Sequence, residues 1–139
     1  EKGEKMTIQI IINGKSCPAE PGETVLTVAK REGVDIPAFC HDETLAPYGA
    51  CRMCLVNVIS GAKEGVTTAC TLQAVDGLEV AADTPEILRL RRVLLELYLA
   101  QAPKSETIKA LAARYGVKKT RFAKKVQKDD PLQSRCILC

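Results

Sequence analysis

The sequence has no run of about 18 uncharged apolar residues, the shortest stretch that would form a membrane-spanning helix. Its N-terminal residues, EKGEKM, are mostly charged, whereas a secretory signal peptide contains a continuous apolar core. We therefore expect no membrane span and a cytoplasmic location. Hydrophobic residues make up 46% of the chain and charged residues 27%, proportions that are typical of a soluble folded protein and that argue against general disorder.

Residues that would carry catalysis are also scarce. The chain has one histidine, His41, and no arrangement that resembles a nucleophile beside its base. At 139 residues it has the size of one ordinary domain, or of a small domain with an appendage, and cannot hold a large catalytic domain as well. We expect no independent catalytic site.

Charge is distributed unevenly along the chain. Residues 1–83 contain 7 Lys and Arg against 12 Asp and Glu, a balance of −5. Residues 84–139 contain 13 against 5, a balance of +8. Segments of opposite charge usually contact different partners, or each other. The chain is therefore an acidic part joined to a basic part.

The acidic part begins with strand and helix signals. Residues 7–12 are rich in β-branched side chains, and the Asn-Gly pair at residues 13–14 favours a tight hairpin turn before a second strand near residues 15–20. Thr24 can cap a helix that Gly33 would end by accepting a left-handed conformation.

Residues 37–50 show no sustained period and predict a loop. After this loop, three short runs predict further strands, at residues 53–59, 66–70 and 78–82. Two strands, a helix and then more short strands predict the α+β class, in which a small sheet has a helix across one face.

The basic part predicts helices. Pro85 suits the first position of a helix whose leucine-rich apolar face continues to about Gln101. Ser105 can open a second helix, which Gly116 would end. The apolar face of the first helix is too wide for a helix alone in water, so it must be buried.

The chain contains seven cysteines. Because the number is odd and cytosolic thiols are kept reduced, metal ligation explains them better than a disulfide framework. Four of them, Cys40, Cys51, Cys54 and Cys70, form the pattern C-x10-C-x2-C-x15-C. A [2Fe-2S] cluster is held by four thiolates, with two on each iron, and this pattern supplies a close pair and two remote members.

The short motif from Cys51 to Cys54 would also supply hydrogen bonds. Backbone N–H groups between its two cysteines can point at the sulfur atoms, and Gly49 and Ala50 allow the chain to pass close to them. Such donors matter because a cluster with four thiolates is negatively charged, and reduction makes it more negative.

A structural zinc ion is the alternative for the same four cysteines, since Zn(II) also accepts four thiolates. Structural zinc sites commonly use two short C-x2-C knuckles. Here 10 residues separate the first cysteine from the central pair, and 15 residues separate that pair from the last. The spacing favours an iron–sulfur cluster.

Two other candidate residues have simpler interpretations. His41 lies beside Cys40, but a mixed Cys/His site of the Rieske type needs two histidines, so we interpret His41 as a loop residue near the cluster. We interpret Cys17 as an ordinary, partly buried thiol in the second strand.

The run IPAFCHDETLAPYGACRMCLVNV, followed by TTACTL and GLEV, resembles a known family of [2Fe-2S] domains. These domains lie at the N-terminus of the large iron–sulfur subunit of NADH:quinone oxidoreductase, of the diaphorase subunits of NAD-linked hydrogenases, and of iron-only hydrogenases. The resemblance covers about residues 7–83. It implies a β-grasp ferredoxin-like fold for residues 1–83, with a [2Fe-2S] cluster bound by Cys40, Cys51, Cys54 and Cys70.

Residues 84–139 depart from the respiratory subunit, whose next segment resembles an added domain with one His and three Cys ligands to a [4Fe-4S] cluster. This helical, basic extension contains no histidine, so that site is absent. The extension and its SRCILC ending are more similar to an iron–sulfur subunit that accompanies cytoplasmic hydrogenases, formate dehydrogenases or electron-bifurcating complexes.

In such subunits CILC begins a C-x2-C-x2-C-x3-C run, so Cys136 and Cys139 could supply part of the ligands to a [4Fe-4S] cluster. Three explanations are open for this half motif. The natural chain continues beyond Cys139, a partner supplies the other ligands, or the pair is a terminal dithiol. We favour a longer natural chain.

Residues 114–128 are dense in Lys and Arg but contain two aromatic residues only, Tyr115 and Phe122, and no recognisable motif that reads nucleic acid. We therefore expect a docking surface for an acidic protein and no nucleic-acid partner. The resemblance implies other subunits of a redox complex as partners, with a flavin, NAD, hydrogenase or dehydrogenase centre.

These observations predict an electron-transfer subunit or domain that relays single electrons within a multi-subunit oxidoreductase of the hydrogenase, formate dehydrogenase or NADH-linked type. Such transfer requires position and potential from the protein, not acid–base catalysis. Two alternatives stay open. One is a zinc-stabilised adaptor module, and the other is the N-terminal fragment of a larger redox enzyme with its active site beyond Cys139.

Overall fold

The computed structural model of the chain describes residues 6–129 and 132. The described part begins with an α+β unit, and two helices follow it, as the sequence predicts. The elements, in chain order, are β1 (Ile8–Ile12), β2 (Lys15–Ala19), α1 (Val25–Arg31), β3 (Leu55–Ser60), β4 (Gly65–Thr68), β5 (Glu79–Ala81), α2 (Pro85–Gln101) and α3 (Glu106–Arg114). Over these residues, no helix combines the length and the apolar character needed to cross a membrane.

The strands form one mixed sheet with the order β2-β1-β5-β3-β4. β1 pairs antiparallel with β2, and β3 pairs antiparallel with β4, so the sheet contains two hairpins. The short strand β5 lies between them, parallel to β1 and antiparallel to β3. The parallel pairing of β1 with β5 joins the N-terminal hairpin to the rest of the sheet.

The first hairpin turns where the sequence predicts. Asn13 and Gly14 have φ angles of 52° and 78°, which this pair tolerates and which suit a tight turn between twisted strands. Along β1, buried and exposed residues alternate, because successive side chains of a strand point to opposite faces. The buried side chains of β1 therefore all contribute to one core.

Helix α1 also begins and ends as expected. The Thr24 side chain accepts a hydrogen bond from the Thr27 N–H at 3.2 Å, which caps the first turn, and Gly33 follows the last turn with a φ of 73°. The apolar residues of α1 lie in the same core as the inward-facing strand residues. This core includes Val25, Leu26, Val28 and Ala29 of α1 with Ile8, Ile10, Ile12, Val56, Val58 and Val80 of the sheet.

The chain separates into two compact units, with the border between Ile87 and Leu88, in the first turn of α2. A border near residue 83 between a cluster domain and a basic extension stays a prediction. In the second unit, α2 and α3 bury apolar residues along one face, among them Leu95, Leu99 and Ile108.

The hydrophobic pattern of α2 does not predict the burial of Arg91. Arg91 is 2% exposed, and its guanidinium lies 5.5 Å from the centre of the Tyr115 ring, at cation–π distance. Arg92 donates from Nε to the Tyr115 carbonyl oxygen at 3.2 Å. The apolar spacing of α2 carries no signal for these contacts, since they depend on a residue beyond α3.

Residues 118–128, called the basic segment below, have no helix or strand but are attached to α2. The Thr120 hydroxyl donates to the Glu96 carbonyl oxygen at 2.7 Å, and the Lys125 N–H donates to the Ala100 carbonyl oxygen at 2.7 Å. Arg121 forms three hydrogen bonds to the Glu96 carboxylate, two from Nε and one from Nη2. The segment is therefore an ordered surface of the second unit.

Candidate metal centre

Three of the four predicted cysteines lie on one loop. Residues 37–54 connect α1 to β3 without a helix or strand, and they carry Cys40, Cys51 and Cys54. Cys70 lies two residues after β4, at the edge of the sheet. The fold therefore brings a remote cysteine from a strand end to a loop that carries the other three.

The approach of Cys70 is fixed by hydrogen bonds between backbone groups. The Ala69 N–H donates to the Cys54 carbonyl oxygen at 2.9 Å, and the Leu26 N–H of α1 donates to the Ala69 carbonyl oxygen at 3.1 Å. The chain then turns, with the Leu72 N–H bonded to the Thr68 carbonyl oxygen at 3.1 Å. Because α1 and the start of β3 both hold this turn, the position of Cys70 follows from the fold of the whole unit.

The four thiols are arranged as two pairs. In the first, the Cys51 N–H donates to the Cys40 sulfur at 3.4 Å, and in the second, the Cys70 N–H donates to the Cys54 sulfur at 3.4 Å. Among the residues that the structure describes, no group of three or more His, Cys, Asp or Glu side chains is arranged around one point as a single-ion site. The two N–H···S hydrogen bonds group the cysteines two by two, with the members of the short Cys51-x2-Cys54 motif in different pairs.

Further backbone donors point at the sulfur atoms. The Phe39 N–H donates to the Cys51 sulfur at 3.4 Å, and the Met53 N–H is also directed at that sulfur. Amide donors of this kind stabilise thiolates and metal-bound sulfur, because they place partial positive charge beside it. The expectation that the short motif would aim its N–H groups at sulfur is confirmed at Met53.

The two pairs differ in exposure. Cys51, Cys54 and Cys70 are buried, with Cys54 and Cys70 at 0% and 1% exposure, whereas Cys40 is partly exposed. Residues 42–48, which follow Cys40, are all exposed and include the large side chains of Leu45 and Tyr48. The Cys40–Cys51 pair is therefore the one nearer to the surface.

Burial and amide donors have opposite effects on the pKa values of the thiols. Burial raises the pKa of Cys54 to about 12, although the Cys70 N–H lowers it in part. For Cys51, burial would raise the pKa, but the N–H groups of Met53, Phe39 and Cys40 together bring it below its ordinary value. Burial also raises the pKa of Cys40. A metal that binds thiolates here must displace protons, so its affinity increases with pH.

Two residues near the thiols have left-handed backbone conformations. Gly49 has a φ of 70°, and a Cβ atom there would lie 3.1 Å from the Thr68 hydroxyl oxygen and 3.3 Å from a methyl group of Thr71. Arg52, between Cys51 and Cys54, has a φ of 60° although it carries a full side chain. Close approach at Gly49 was expected from its residue type, whereas nothing in the sequence suggests this conformation for an arginine.

Two other candidate residues, Cys17 and His41, are not members of the pairs. Cys17 is in β2, at the opposite edge of the sheet from β4, and it is fully buried instead of partly buried as expected. His41 lines an open groove of about 750 Å³ beside α1, and its Nδ1 has no hydrogen-bond partner among the described residues. Cys136 and Cys139 lie outside the described residues.

The loop and strand-end thiols, grouped two by two in an α+β unit, fit the iron–sulfur class of proteins. The chain belongs to the family of 2Fe-2S iron-sulfur cluster binding domains, whose model matches residues 5–85. This match confirms the predicted family, and it places the chain in a group whose cofactor is a [2Fe-2S] cluster.

Two relatives of the chain are redox subunits. The chain is 41% identical over 96 residues to a subunit of the NADH-quinone oxidoreductase of Rhizobium meliloti, across 69% of this chain and 11% of that protein. It is 38% identical over 96 residues to the gamma component of HoxS, the NAD-reducing hydrogenase of Cupriavidus necator, across 69% of this chain and 39% of that protein. The chain thus spans well under half the length of these relatives.

A solved structure supports the fold over nearly the whole chain. A chain of an NAD⁺-reducing [NiFe]-hydrogenase in the H₂-reduced state superposes with a TM-score of 0.78 and 29% identity. The match covers 95% of this chain and 62% of that one. The predicted β-grasp-like α+β fold is confirmed, and the chain is a 2Fe-2S domain homologous to electron-transfer subunits of NADH dehydrogenase and NAD-reducing hydrogenase.

Proposed function

We propose that Cys40, Cys51, Cys54 and Cys70 bind one [2Fe-2S] cluster, and that the chain relays single electrons within a multi-subunit oxidoreductase of the hydrogenase, formate dehydrogenase or NADH-linked type. The observation that carries this proposal is the grouping of the thiols into two pairs. A two-iron cluster needs two thiolates on each iron. One pair, Cys40 with Cys51, would hold one iron, and the other, Cys54 with Cys70, would hold the second.

The donor set fits this cofactor better than a zinc ion. A structural zinc ion held by these four cysteines would need all four sulfur atoms around a single point, at about 2.3 Å from it. Two pairs, in each of which one cysteine donates its N–H to the sulfur of the other, suit a wider group whose sulfur atoms accept hydrogen bonds. The zinc-stabilised adaptor is therefore the less favoured alternative, and metal analysis separates the two.

When bound, the cluster supplies a one-electron acceptor and donor. The protein's own residues would then control its environment. The amides of Phe39, Cys51, Met53 and Cys70 direct partial positive charge at the sulfur atoms, and the core around Cys54 and Cys70 excludes water from one side. Electrons would pass through the other side, where Cys40 and residues 42–48 reach the surface.

The partners and the location are proposed on related grounds. The relatives are subunits of NADH-quinone oxidoreductase and of NAD-reducing hydrogenase, so we propose that flavin-, NAD- or hydrogenase-bearing subunits exchange electrons with this chain. We propose a cytoplasmic location, because an odd number of cysteines, seven in the sequence, fits metal ligation in a reducing compartment better than a disulfide framework. The active site of the assembly would lie in a partner or beyond Cys139.

A reductive titration tests the proposed function. We expect protein that is purified or reconstituted without oxygen to contain two irons and two acid-labile sulfides per chain, and to be brown. Dithionite should bleach the visible absorption and produce an electron paramagnetic resonance signal of one unpaired electron per chain. A colourless protein that contains zinc and no sulfide would contradict the proposal and favour the adaptor.

A further inference from the structure

Arg52 has an unusual backbone conformation for its residue type. In the described part of the chain, Asn13 and Arg52 are the non-glycine residues with positive φ, at 52° and 60°. Asn13 is explained by the hairpin turn, and Asn tolerates this region well. Arginine does not, and a long side chain in a left-handed conformation persists only where the surrounding structure requires it.

The surroundings of Arg52 indicate what this conformation provides. Arg52 stands between Cys51 and Cys54, which belong to different thiol pairs, so the chain must change direction at this point. With Arg52 turned, the next N–H, that of Met53, is directed at the Cys51 sulfur. The left-handed residue thus serves the amide environment of the thiols.

The side chain of Arg52 also bonds to the loop that carries Cys40, Cys51 and Cys54. Its Nη1 donates to the Gly49 carbonyl oxygen at 3.3 Å, which ties the guanidinium to the same loop. A Cβ atom at Gly49 would lie 3.5 Å from Nη1, at ordinary contact distance, so the tight neighbours of Gly49 are Thr68 and Thr71 and not Arg52. The positive charge is therefore fixed beside the turn that carries Cys51.

Arg52 is the only Lys or Arg within residues 37–54, a stretch that also contains Asp42 and Glu43. Lys30 of α1 forms an ion pair with Glu43 at 3.3 Å, so its charge is partly matched. Residues 1–83 as a whole carry an excess of acidic side chains, 12 against 7. In this acidic unit, Arg52 places a positive charge in the loop of residues 37–54, called the thiol loop below. The charge of Arg52 is opposite to the net negative charge of the unit, and it lies in the loop where an electron would be added.

We propose that Arg52 raises the reduction potential of the site by holding a positive charge in the thiol loop. The inference rests on the proposed function. One-electron reduction, with the electron supplied by a donor such as dithionite, adds one negative charge and breaks no bond. A nearby cation stabilises the reduced state more than the oxidised state, and therefore makes reduction more favourable.

The test compares Arg52→Lys, which keeps the charge, with Arg52→Gln and Arg52→Asn, which remove it. Asn also tolerates the left-handed conformation, so it separates charge from backbone strain. We expect both neutral variants to lower the reduced-to-oxidised ratio at a fixed potential by about threefold to tenfold, where tenfold corresponds to about 59 mV for one electron. Arg52→Lys should change the ratio much less. The readout is a potentiometric titration followed by electron paramagnetic resonance.

Ionic strength and a matched control sharpen the comparison. Because the Arg52 side chain is exposed, the difference between wild type and Arg52→Gln should shrink between low salt and about 1 M salt, where the screening length is about 3 Å. Lys63→Gln removes an exposed cation from the turn between β3 and β4, and it should leave the potential unchanged.

Iron and sulfide are measured first on the wild type and on every variant. A wild type without cluster would contradict the proposed function, and it would be recognised before any potential is compared. With clusters present, an unchanged potential in both neutral variants would overturn the inference. Equal, salt-independent shifts in Arg52→Lys, Arg52→Gln and Arg52→Asn would overturn it as well, because they would assign Arg52 a role in loop geometry alone.

Discussion

At the scale of single residues, the four thiols are not equivalent. Cys54 and Cys70 are buried in the unit's core, and Cys40 reaches the surface. Cys17, by contrast, is fully buried but lies in the far edge strand, with its thiol donating to the Lys15 carbonyl oxygen at 3.4 Å. A cysteine's burial alone therefore does not identify a ligand, whereas its pairing with a second thiol does.

Replacing one thiol of a pair should abolish cluster assembly. We expect Cys70→Ala to leave its iron with one protein ligand too few, and to reduce iron and sulfide content at least tenfold after reconstitution. Cys17→Ala is the matched control, because it removes a buried thiol outside the pairs and should retain full cluster content. Visible absorption and sulfide analysis provide the measurement. Full loading of the Cys70→Ala protein would contradict the assignment.

Gly61 is required for a different reason, which concerns stability. It has a φ of 86°, and a Cβ atom there would lie 2.7 Å from the Leu78 Cα, at the approach to β5. We expect Gly61→Ala to lower the free energy of unfolding by several kcal/mol, since overpacking costs about 1 to 3 kcal/mol in addition to the cost of the left-handed backbone.

Gly14→Ala is the control for Gly61→Ala, because Gly14 has a φ of 78° but open space around it. It should cost only about 1 kcal/mol, from the backbone alone. Urea unfolding followed by circular dichroism measures both. Equal losses in the two variants would show that close packing against Leu78 is not what makes Gly61 necessary.

At the scale of elements, the sequence predicts local structure better than long-range pairing. The hairpin at residues 13–14, the Thr24 and Ser105 caps and the bounds of α2 all follow from turn, cap and periodicity signals, and the structure confirms them. These signals are local, because each depends on residues only a few positions apart.

What the sequence could not predict depends on contacts between distant residues. The parallel pairing of β1 with β5 and the buried guanidinium of Arg91 each involve partners far apart in the chain. The four thiols could be named from their spacing, but the way in which they pair could not. That pairing is set by the loop's path and by the bond between the Ala69 N–H and the Cys54 carbonyl, neither of which has a composition or periodicity signal.

The attachment of the basic segment to α2 should depend on pH. Arg121 donates to Glu96 and holds the pKa of that carboxyl below its usual range, so ionised Glu96 favours the attached state. A carboxyl group whose pKa is lower in the folded state stabilises that state at pH values above its pKa in the unfolded chain, about 4.3 for Glu. This stabilisation is lost as the pH falls through the lower pKa of the folded state. Attachment should therefore weaken in acid.

Amide hydrogen exchange at Lys125, whose N–H bonds to the Ala100 carbonyl, measures this attachment. Corrected for the intrinsic pH effect, protection of this amide should fall below about pH 4. In Glu96→Gln it should be low at every pH, whereas Glu106→Gln, which removes an exposed carboxylate that pairs with Lys109 within α3, should behave as wild type. Protection independent of pH in the wild type would contradict the role of Glu96.

At the scale of the whole molecule, an acidic cluster unit is joined to a unit with a basic surface. The basic segment contains Lys118, Lys119, Lys124 and Lys125. It also contains Val126, which is 94% exposed. An ordered segment that combines lysines with an exposed aliphatic side chain, and that has no recognisable motif that reads nucleic acid, suits an acidic protein surface better than nucleic acid. We therefore retain the prediction that partner subunits dock here.

Charge reversal on the basic segment should weaken assembly. We expect Lys118→Glu with Lys124→Glu to reduce co-purification of the partner subunits from the native source, with a loss that is largest at low salt. Lys63→Glu, in the first unit, is the matched control. Unchanged co-purification, or tight binding of the wild type to double-stranded DNA at physiological salt, would contradict a protein-docking role.

The central claim is that the two thiol pairs hold two irons bridged by inorganic sulfide. Native mass spectrometry of the anaerobically reconstituted chain tests it most directly, because it counts metal and sulfide on the folded protein. We expect the mass to exceed that of the chain by two irons and two sulfides, in a single dominant species. A folded chain that carries one metal ion and no sulfide would contradict the account.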